Sequence, residues 1–277
     1  MLINTHSYYS LRYGVVSPKD WINFFKSQPW THMALTDINN TSACMTALYL
    51  LKDEPSKNAV VGVDFRNGVQ QKYVVIAKNW EGFKQINNHL SWHLAHKVKF
   101  SNKAPVKRLK DTWVIYNYHE NLDVNLLKSN ELVGISPELI TSLHIHKIRT
   151  HEHKLVAMAT ASFRGKRDFN AHRLLRAIDE NTLLSKLSKN KEAPETELYL
   201  NDKQLRNSYS EYPHLLRNAL QILQSCNVKL PEKPELNLQT YTGLREKDNK
   251  LLRKLCNDGL SYRYPQADFK VRDRIEK

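Results

Sequence analysis

Three side chains of the 277-residue chain have the types and the order that metal-assisted chemistry needs: His6, Asp37 and Asp64. Each sits at the end of a short, strand-like segment. His6 follows the first of these, Asp37 follows Met33-Ala34-Leu35-Thr36, and Asp64 lies in Gly62-Val63-Asp64-Phe65. In a parallel barrel the C-terminal ends of the strands converge on one face, which brings such residues together around an ion. Imidazole and carboxylate donors suit zinc, manganese or iron, and an ion held by them activates water for attack on a phosphoester.

Other groupings point to structure rather than chemistry. Ser7 and Ser10 stand too near His6 in sequence for a nucleophilic triad, and their hydroxyls are expected to satisfy turn amides. Tyr8, Tyr9 and Tyr13 are expected to pack at the mouth of the fold. His89, His93 and His96 recur at i, i+4 and i+7, while His144, His146, His151 and His153 cluster in a loop-like stretch. Neither set has carboxylates at ligand spacing, so both are read as surface histidines. Cys44, Cys226 and Cys256 form no Cys-x-x-Cys pair and are expected as reduced, buried thiols. No Gly-rich phosphate loop is present.

The elements that must position these residues alternate in type. A turn at 37–40 precedes a helix capped by Thr41 or Ser42 and running to Leu51. Residues 59–65 are β-branched and lead into Asn67-Gly68, a hairpin signal, with 73–77 as the returning strand. Residues 80–96 carry Phe83, Ile86, Leu90 and Leu94 at helical spacing. Further strands are predicted at 113–116, 132–135 and 155–159, with a short helix opened by Pro137. Later, Ala171, Leu174, Leu175 and Ile178 form one helical stripe, 189–197 reads as a linker, and 213–226 is an amphipathic helix. Pro231 and Pro234 interrupt the helices, and a last helix is predicted from about 247 to 260. Strand-then-helix order argues for an α/β fold with a mainly parallel sheet, open or closed into a barrel.

Composition is ordinary for a globular chain, at 41% hydrophobic and 25% charged residues. No apolar run is long enough to span a bilayer, and the N-terminus lacks the pattern of a signal peptide, so a cytoplasmic protein without a membrane partner is expected. The net charge is +14. No acidic residue occurs between Glu81 and Asp111, where Lys97, Lys99, Lys103, Lys107, Arg108 and Lys110 accumulate. A second block holds Lys147, Arg149, Lys154, Arg164, Lys166, Arg167 and Arg173, against Glu152 and Asp168. Together they predict nucleic-acid proximity, marked by Lys97, Lys99, Lys103, Lys107, Arg108, Arg164, Lys166 and Arg167.

The early motifs also carry a family resemblance. Thr5-His6-Ser7-Tyr8-Tyr9-Ser10, Leu35-Thr36-Asp37-Ile38 and Gly62-Val63-Asp64 are similar, in order, to the His-x-His-Ser, Thr-Asp-His and Gly-x-Glu motifs of the PHP (polymerase and histidinol phosphatase) domain of bacterial DNA polymerase III alpha subunits. Ile76-Ala77-Lys78-Asn79 followed by Gly82-Phe83, the run from Asp168 to Leu183, Tyr212-Pro213, Cys226-Asn227-Val228, and Gly259-Leu260 with Arg263-Tyr264 resemble later family segments. The likeness spans nearly the whole chain. Several positions depart from the pattern: Asn4 stands where the family has a histidine, Ile38 where it has another, and the histidine the family carries near Lys72 is absent. Asp64 stands for a glutamate, and the segment matching the last metal motif, 160–164, holds no ligand.

The resemblance implies a distorted PHP-type (β/α) barrel over 1–190, a helical connection over 191–230, and the start of a polymerase module over 231–277. It further implies that the full-length protein is a DNA-directed DNA polymerase, a nucleotidyltransferase whose partners are DNA, the remainder of its own chain and a proofreading subunit. This segment stops before the palm carboxylates, so no catalytic residue is expected in it. Asn4, His6, Asp37, Ile38 and Asp64 become vestigial metal-site positions. No cofactor is expected beyond one weak divalent ion on His6, Asp37 and Asp64, because a zinc site needs three or four protein ligands and isoleucine supplies none. The expected role is structural. Two rivals are an active metal-dependent phosphoesterase or 3′–5′ exonuclease, and a free-standing basic nucleic-acid-binding protein.

Overall fold

The computed structural model describes residues 1–119, 122–230 and 239–276. Pro231 and Pro234, expected to interrupt the helices, and the side chain of Lys147 lie outside the described residues. The chain divides into two compact units, Met1–Leu230 and Pro231–Lys277.

The first unit is a mixed α/β structure. It runs β1 (Asn4–Thr5), α1 (Pro18–Ser27), β2 (His32–Leu35), α2 (Ser42–Leu50), β3 (Asn58–Asn67), β4 (Gln70–Ala77), α3 (Trp80–His96), β5 (Thr112–Asn117), β6 (Glu131–Ile135), β7 (Leu155–Ala157), β8 (Thr160–Ala161), α4 (Lys166–Asp179), α5 (Asp202–Ser208) and α6 (Pro213–Gln224). The strands β2 to β7 form one six-stranded sheet in sequence order, and β1 pairs with β8. Ala34 N donates to Leu2 O at 2.9 Å and Thr36 N to Thr5 O at 3.0 Å, so β1 is also tied to β2. Pairing is parallel except on either side of β4.

Local chemistry explains the elements. Ser17 caps α1 by accepting from Asp20 N, with Pro18 preset for the first helical position. Asn67-Gly68 closes the β3–β4 hairpin with Gly68 at φ +64°, a conformation suited to glycine. Asn79 caps α3 by accepting from Gly82 N at 2.9 Å. The strand β3 is buried from Ala59 to Arg66, because helices cover one of its faces and the strand-end cluster described below occupies the other. The helices α3 and α6 pack on the sheet, α6 against β7 and β2.

Several expectations are corrected. Residues 155–159 are not one strand but β7 and the approach to β8. The buried side of α4 is Phe169, His172, Arg176 and Ala177 with Asp168, whereas Leu174 and Ile178 of the expected stripe are exposed. The reason is partnership: His172 accepts from Ala193 N at 2.9 Å, and Arg176 donates to Lys191 O and to Asp179, which satisfies a polar face inside. The segment 189–197 is likewise no mere linker, since Ala193 is buried and Glu197 reaches the strand-end cluster.

The second unit contains α7 (Arg245–Arg263) and α8 (Phe269–Glu276), joined by an ion pair between Arg253 and Glu276 at 3.0 Å. Neither helix has a buried residue. No helix among the described residues is long and apolar enough to cross a membrane.

Candidate functional site

The end of β1 and the interior of β3 bring His6 and Asp64 into contact. The backbone of His6 is fixed on both sides: its N–H donates to Ala161 O at 3.0 Å, and its carbonyl accepts from Trp21 Nε1 at 2.8 Å. Its ring then lies between Ser162 Oγ, 2.8 Å from Nδ1, and Asp64 Oδ2, 3.0 Å from Nε2. Asp64 is not at a strand end, as read from the sequence, but within β3, with three more residues of strand after it.

One oxygen of Asp64 collects every donor in reach. Oδ2 receives Gln71 Nε2 at 2.6 Å, Arg66 Nη2 at 2.8 Å, Arg66 Nε at 2.9 Å, His6 Nε2 at 3.0 Å and Asn4 Nδ2 at 3.2 Å. Oδ1, equally buried, has no hydrogen-bond partner among the described residues. Burial alone would push the Asp64 carboxyl up, but the Arg66 guanidinium, followed by His6, overcomes it and holds the group well below the usual carboxylate range. Arg66 is itself 5% exposed, and its Nη1 donates to the Tyr13 hydroxyl at 2.9 Å. Glu197 Oε1 stands 4.0 Å from Nη2 and completes the charge balance from the far side.

Arg66 is positioned by the segment at the other motif. Residues 37–39 run alongside β3, with Asp64 N donating to Asp37 O and Asn39 N to Asp64 O. Asn39, at φ +48°, then continues the ladder with its side chain: Oδ1 accepts from Arg66 N at 3.0 Å and Nδ2 donates to Arg66 O at 2.9 Å. Gln71 is the residue directly opposite Arg66 on β4.

Asp37 belongs to a separate set. Its carboxylate accepts from Ser7 N at 2.6 Å and from the hydroxyls of Ser7 and Ser10, both at 2.7 Å. Burial raises its carboxyl above the ordinary range against the pull of those hydrogen bonds from Ser10 and Ser7. The loop 7–14 must fold tightly to make them: a Cβ on Gly14 would lie 1.8 Å from the Ser7 carbonyl oxygen. Ile38 pairs by its backbone with Asp64 and offers no lone pair. Asn4 is oriented by Thr36, whose hydroxyl donates to its Oδ1 at 2.7 Å, so its Nδ2 faces Asp64 and Thr160.

These residues do not fit a catalytic ion. Asp64 offers one unshared oxygen, Asn4 turns its donor end inward, and Asp37 is engaged by two serines. A guanidinium already supplies the positive charge an ion would bring. Among the described residues no three His, Cys, Asp or Glu side chains are arranged to hold a metal. The line Ser162–His6–Asp64 has the members of a nucleophilic triad, yet Ser162 is fully buried and its hydroxyl donates to Glu197 at 2.5 Å. No substrate carbon can reach it. The concavity beside the cluster, about 420 Å³, is lined by Thr160, Met158 and Tyr118, and its charged residues, Glu138 and Glu197, are both acidic. That lining repels a phosphoester.

Of the other predicted positions, Lys97, Lys99, Lys103, Lys107, Arg108, Lys166 and Arg167 are exposed. Arg164 is engaged by Asp168 at 2.7 Å and Asp20 at 3.3 Å. His89 is not a surface histidine; it is half-buried against Phe65 and bonded to the Tyr73 hydroxyl at 2.9 Å. Sequence reading missed Arg66, Gln71, Ser162 and Glu197, and it gave Tyr13 packing but not its hydrogen bond with Arg66. Only Arg66 carried a local signal, since residues two apart on a strand share a face and Asp64-x-Arg66 pairs opposite charges there.

No family model matches the chain. The DNA polymerase III subunit alpha of Ureaplasma parvum serovar 3 (strain ATCC 700970) is similar to it, at 24% identity over 277 residues. The similarity takes in 97% of this chain and 25% of that protein, so the chain spans about a quarter of the relative's length.

Proposed function

We propose that this chain is the N-terminal, PHP-type portion of a DNA polymerase III alpha-like subunit, and that its former ion centre now serves as a structural clasp. The likeness to a polymerase alpha subunit over nearly the whole chain supports the replication context. The strand order, with β1 joined to both β8 and β2, supports a distorted barrel over 1–190. On this reading, 191–230 connects the barrel to a polymerase module that opens at 231–277. DNA, the remainder of the polymerase chain and a proofreading subunit are then its partners, and its contribution is scaffolding.

The observation that carries the loss of chemistry is the buried pair of Arg66 and Asp64. A guanidinium is planar, permanently charged and a fivefold donor, so it neutralises a carboxylate without activating water. The same network joins β1, β3, β4 and β8 through side chains, which is mechanical work for a scaffold.

Elemental analysis of the purified protein tests this, together with hydrolysis of bis(p-nitrophenyl) phosphate and of a 3′-labelled oligonucleotide with manganese, zinc or magnesium. The expected result is well under one transition-metal ion per chain and no chelator-sensitive hydrolysis. Two or more tightly held ions with turnover would overturn the proposal. The polymerase context is checked independently: the reading frame beyond Lys277 should encode palm carboxylates.

A further inference from the structure

The second half of α3 and the loop 97–111 enclose a concavity of about 420 Å³ lined by His89, Trp92, His93, Ser101, Pro105 and Arg108. The loop is held firmly. Phe100 is buried with its ring centroid 4.5 Å from that of His93 and 5.0 Å from that of Phe65. Ala104 N donates to the Tyr116 hydroxyl at 3.1 Å, and Leu109 is fully buried. On one wall Trp92 is 47% exposed, its ring stacked on His96 at 4.8 Å.

The charge of this surface is uncompensated. Among the described residues, none of Lys97, Lys99, Lys103, Lys107, Arg108 and Lys110 forms an ion pair. The first acid after them, Asp111, accepts instead from the neutral amides of Gln85 at 2.9 Å and Asn79 at 3.5 Å. The floor is neutral at neutral pH: burial, then His93 and Arg108, lower the His89 imidazole to about 4. Six like charges on a fixed loop repel one another, and a polyanion laid across them relieves that repulsion while releasing its counterions.

We propose that this concavity is a contact site for single-stranded nucleic acid, with one unpaired base lying on Trp92 and the adjoining phosphates held by Arg108 and the loop lysines. A stacking aromatic beside unpaired cations is the pairing that single strands exploit, because every base has a π-face and every phosphate a charge. A guanidinium also matches phosphate oxygens two at a time. A duplex keeps its bases stacked on each other and gains nothing from Trp92. An acidic peptide gains from the lysines and likewise nothing from the ring. The inference stands on a surface other than the His6–Asp64 cluster, so it can fail while the clasp holds.

Fluorescence anisotropy of a labelled 20-nucleotide thymidine oligonucleotide with the whole chain tests it, across a salt series. Binding should weaken as salt rises, W92A should weaken it about tenfold or more, and R108Q should weaken it while flattening the salt slope by roughly one phosphate contact. K19Q/K203Q, at exposed lysines of α1 and α5, should change it little, and an equal-length duplex should bind less tightly than the single strand. Thermal melting checks that these exposed substitutions leave the fold intact. The proposal is overturned if the wild-type chain shows no binding at low salt. It is equally overturned if W92A binds as well as wild type, or if poly-glutamate competes as well as unlabelled oligonucleotide.

Discussion

Positive charge does opposite things in two regions of this molecule. Around the strand-end cluster and α4, each arginine with a described partner is matched to carboxylates: Arg66 to Asp64, Arg164 to Asp168 and Asp20, Arg173 to Glu192, and Arg176 to Asp179 and Glu180. Over residues 97–110 the cations are as dense, and among the described residues none of the six forms an ion pair. A run of basic residues in a sequence therefore says little about the field it makes. What decides is whether the fold delivers acids from elsewhere, as Asp20 and Glu192 are delivered, or withholds them, as Asp111 is withheld by two amides.

The contrast is broken most sharply at Arg66. Arg66→Met leaves Asp64 buried without its counter-charge and should destabilise the first unit by about 3–5 kcal/mol, read from denaturant unfolding. The double variant R66M/D64L should recover part of that loss, because it removes the unmatched charge while leaving the donors of His6, Asn4 and Gln71 without their acceptor. A double variant as unstable as R66M alone would mean that the guanidinium contributes packing and little else. Arg176→Met should cost less, about 1–3 kcal/mol, since its carboxylates remain half-exposed to water.

His89 tests the unmatched region by pH. Its imidazole titrates near 6.5 in an unfolded chain and about 4 in the fold, lowered by burial, His93 and Arg108. The stability it confers is thus present above pH 6.5 and lost as pH falls from there toward 4. Melting temperature should decline through that window, and less steeply in His89→Gln. The smallest effect belongs to the loop: K97Q/K99Q/K103Q should move stability by no more than about 0.5 kcal/mol, and upward at low salt, where the repulsion it relieves is least screened. A clear loss would show that these lysines have partners after all.

Much of the fold was legible because its signals are local. The hairpin at Asn67-Gly68 and the helix over Trp80–His96 are written in neighbouring residues. On α4 hydrophobicity does not mark the inside, since Leu174 and Ile178 face solvent. Here the inside is built from His172 and Arg176, whose partners include Ala193 N and Lys191 O, 21 and 15 residues away. At the site, His6, Asp37 and Asp64 were found by their strand context, but their partition into two sets was not visible. Asp37 turns to Ser7 and Ser10 through a tight loop, and Asp64 turns to Arg66. Glu197 sits in a polar stretch that resembles a linker, and the bridge between Phe163 and Leu198, with Ser162 N and Phe163 N donating to the Glu197 carbonyl, brings it home.

The five-donor knot on Asp64 Oδ2 also bears on how the site answers change. An imidazole placed at position 38 would add a ligand beside a cation that is already present, and an incoming ion would meet a guanidinium at close range. Removing Arg66 first would leave the carboxylate in a dry interior with the amides of Gln71 and Asn4 and the ring of His6 but no guanidinium. Single changes toward an ion centre therefore cost stability and paired ones cost less, so the network acts as a ratchet.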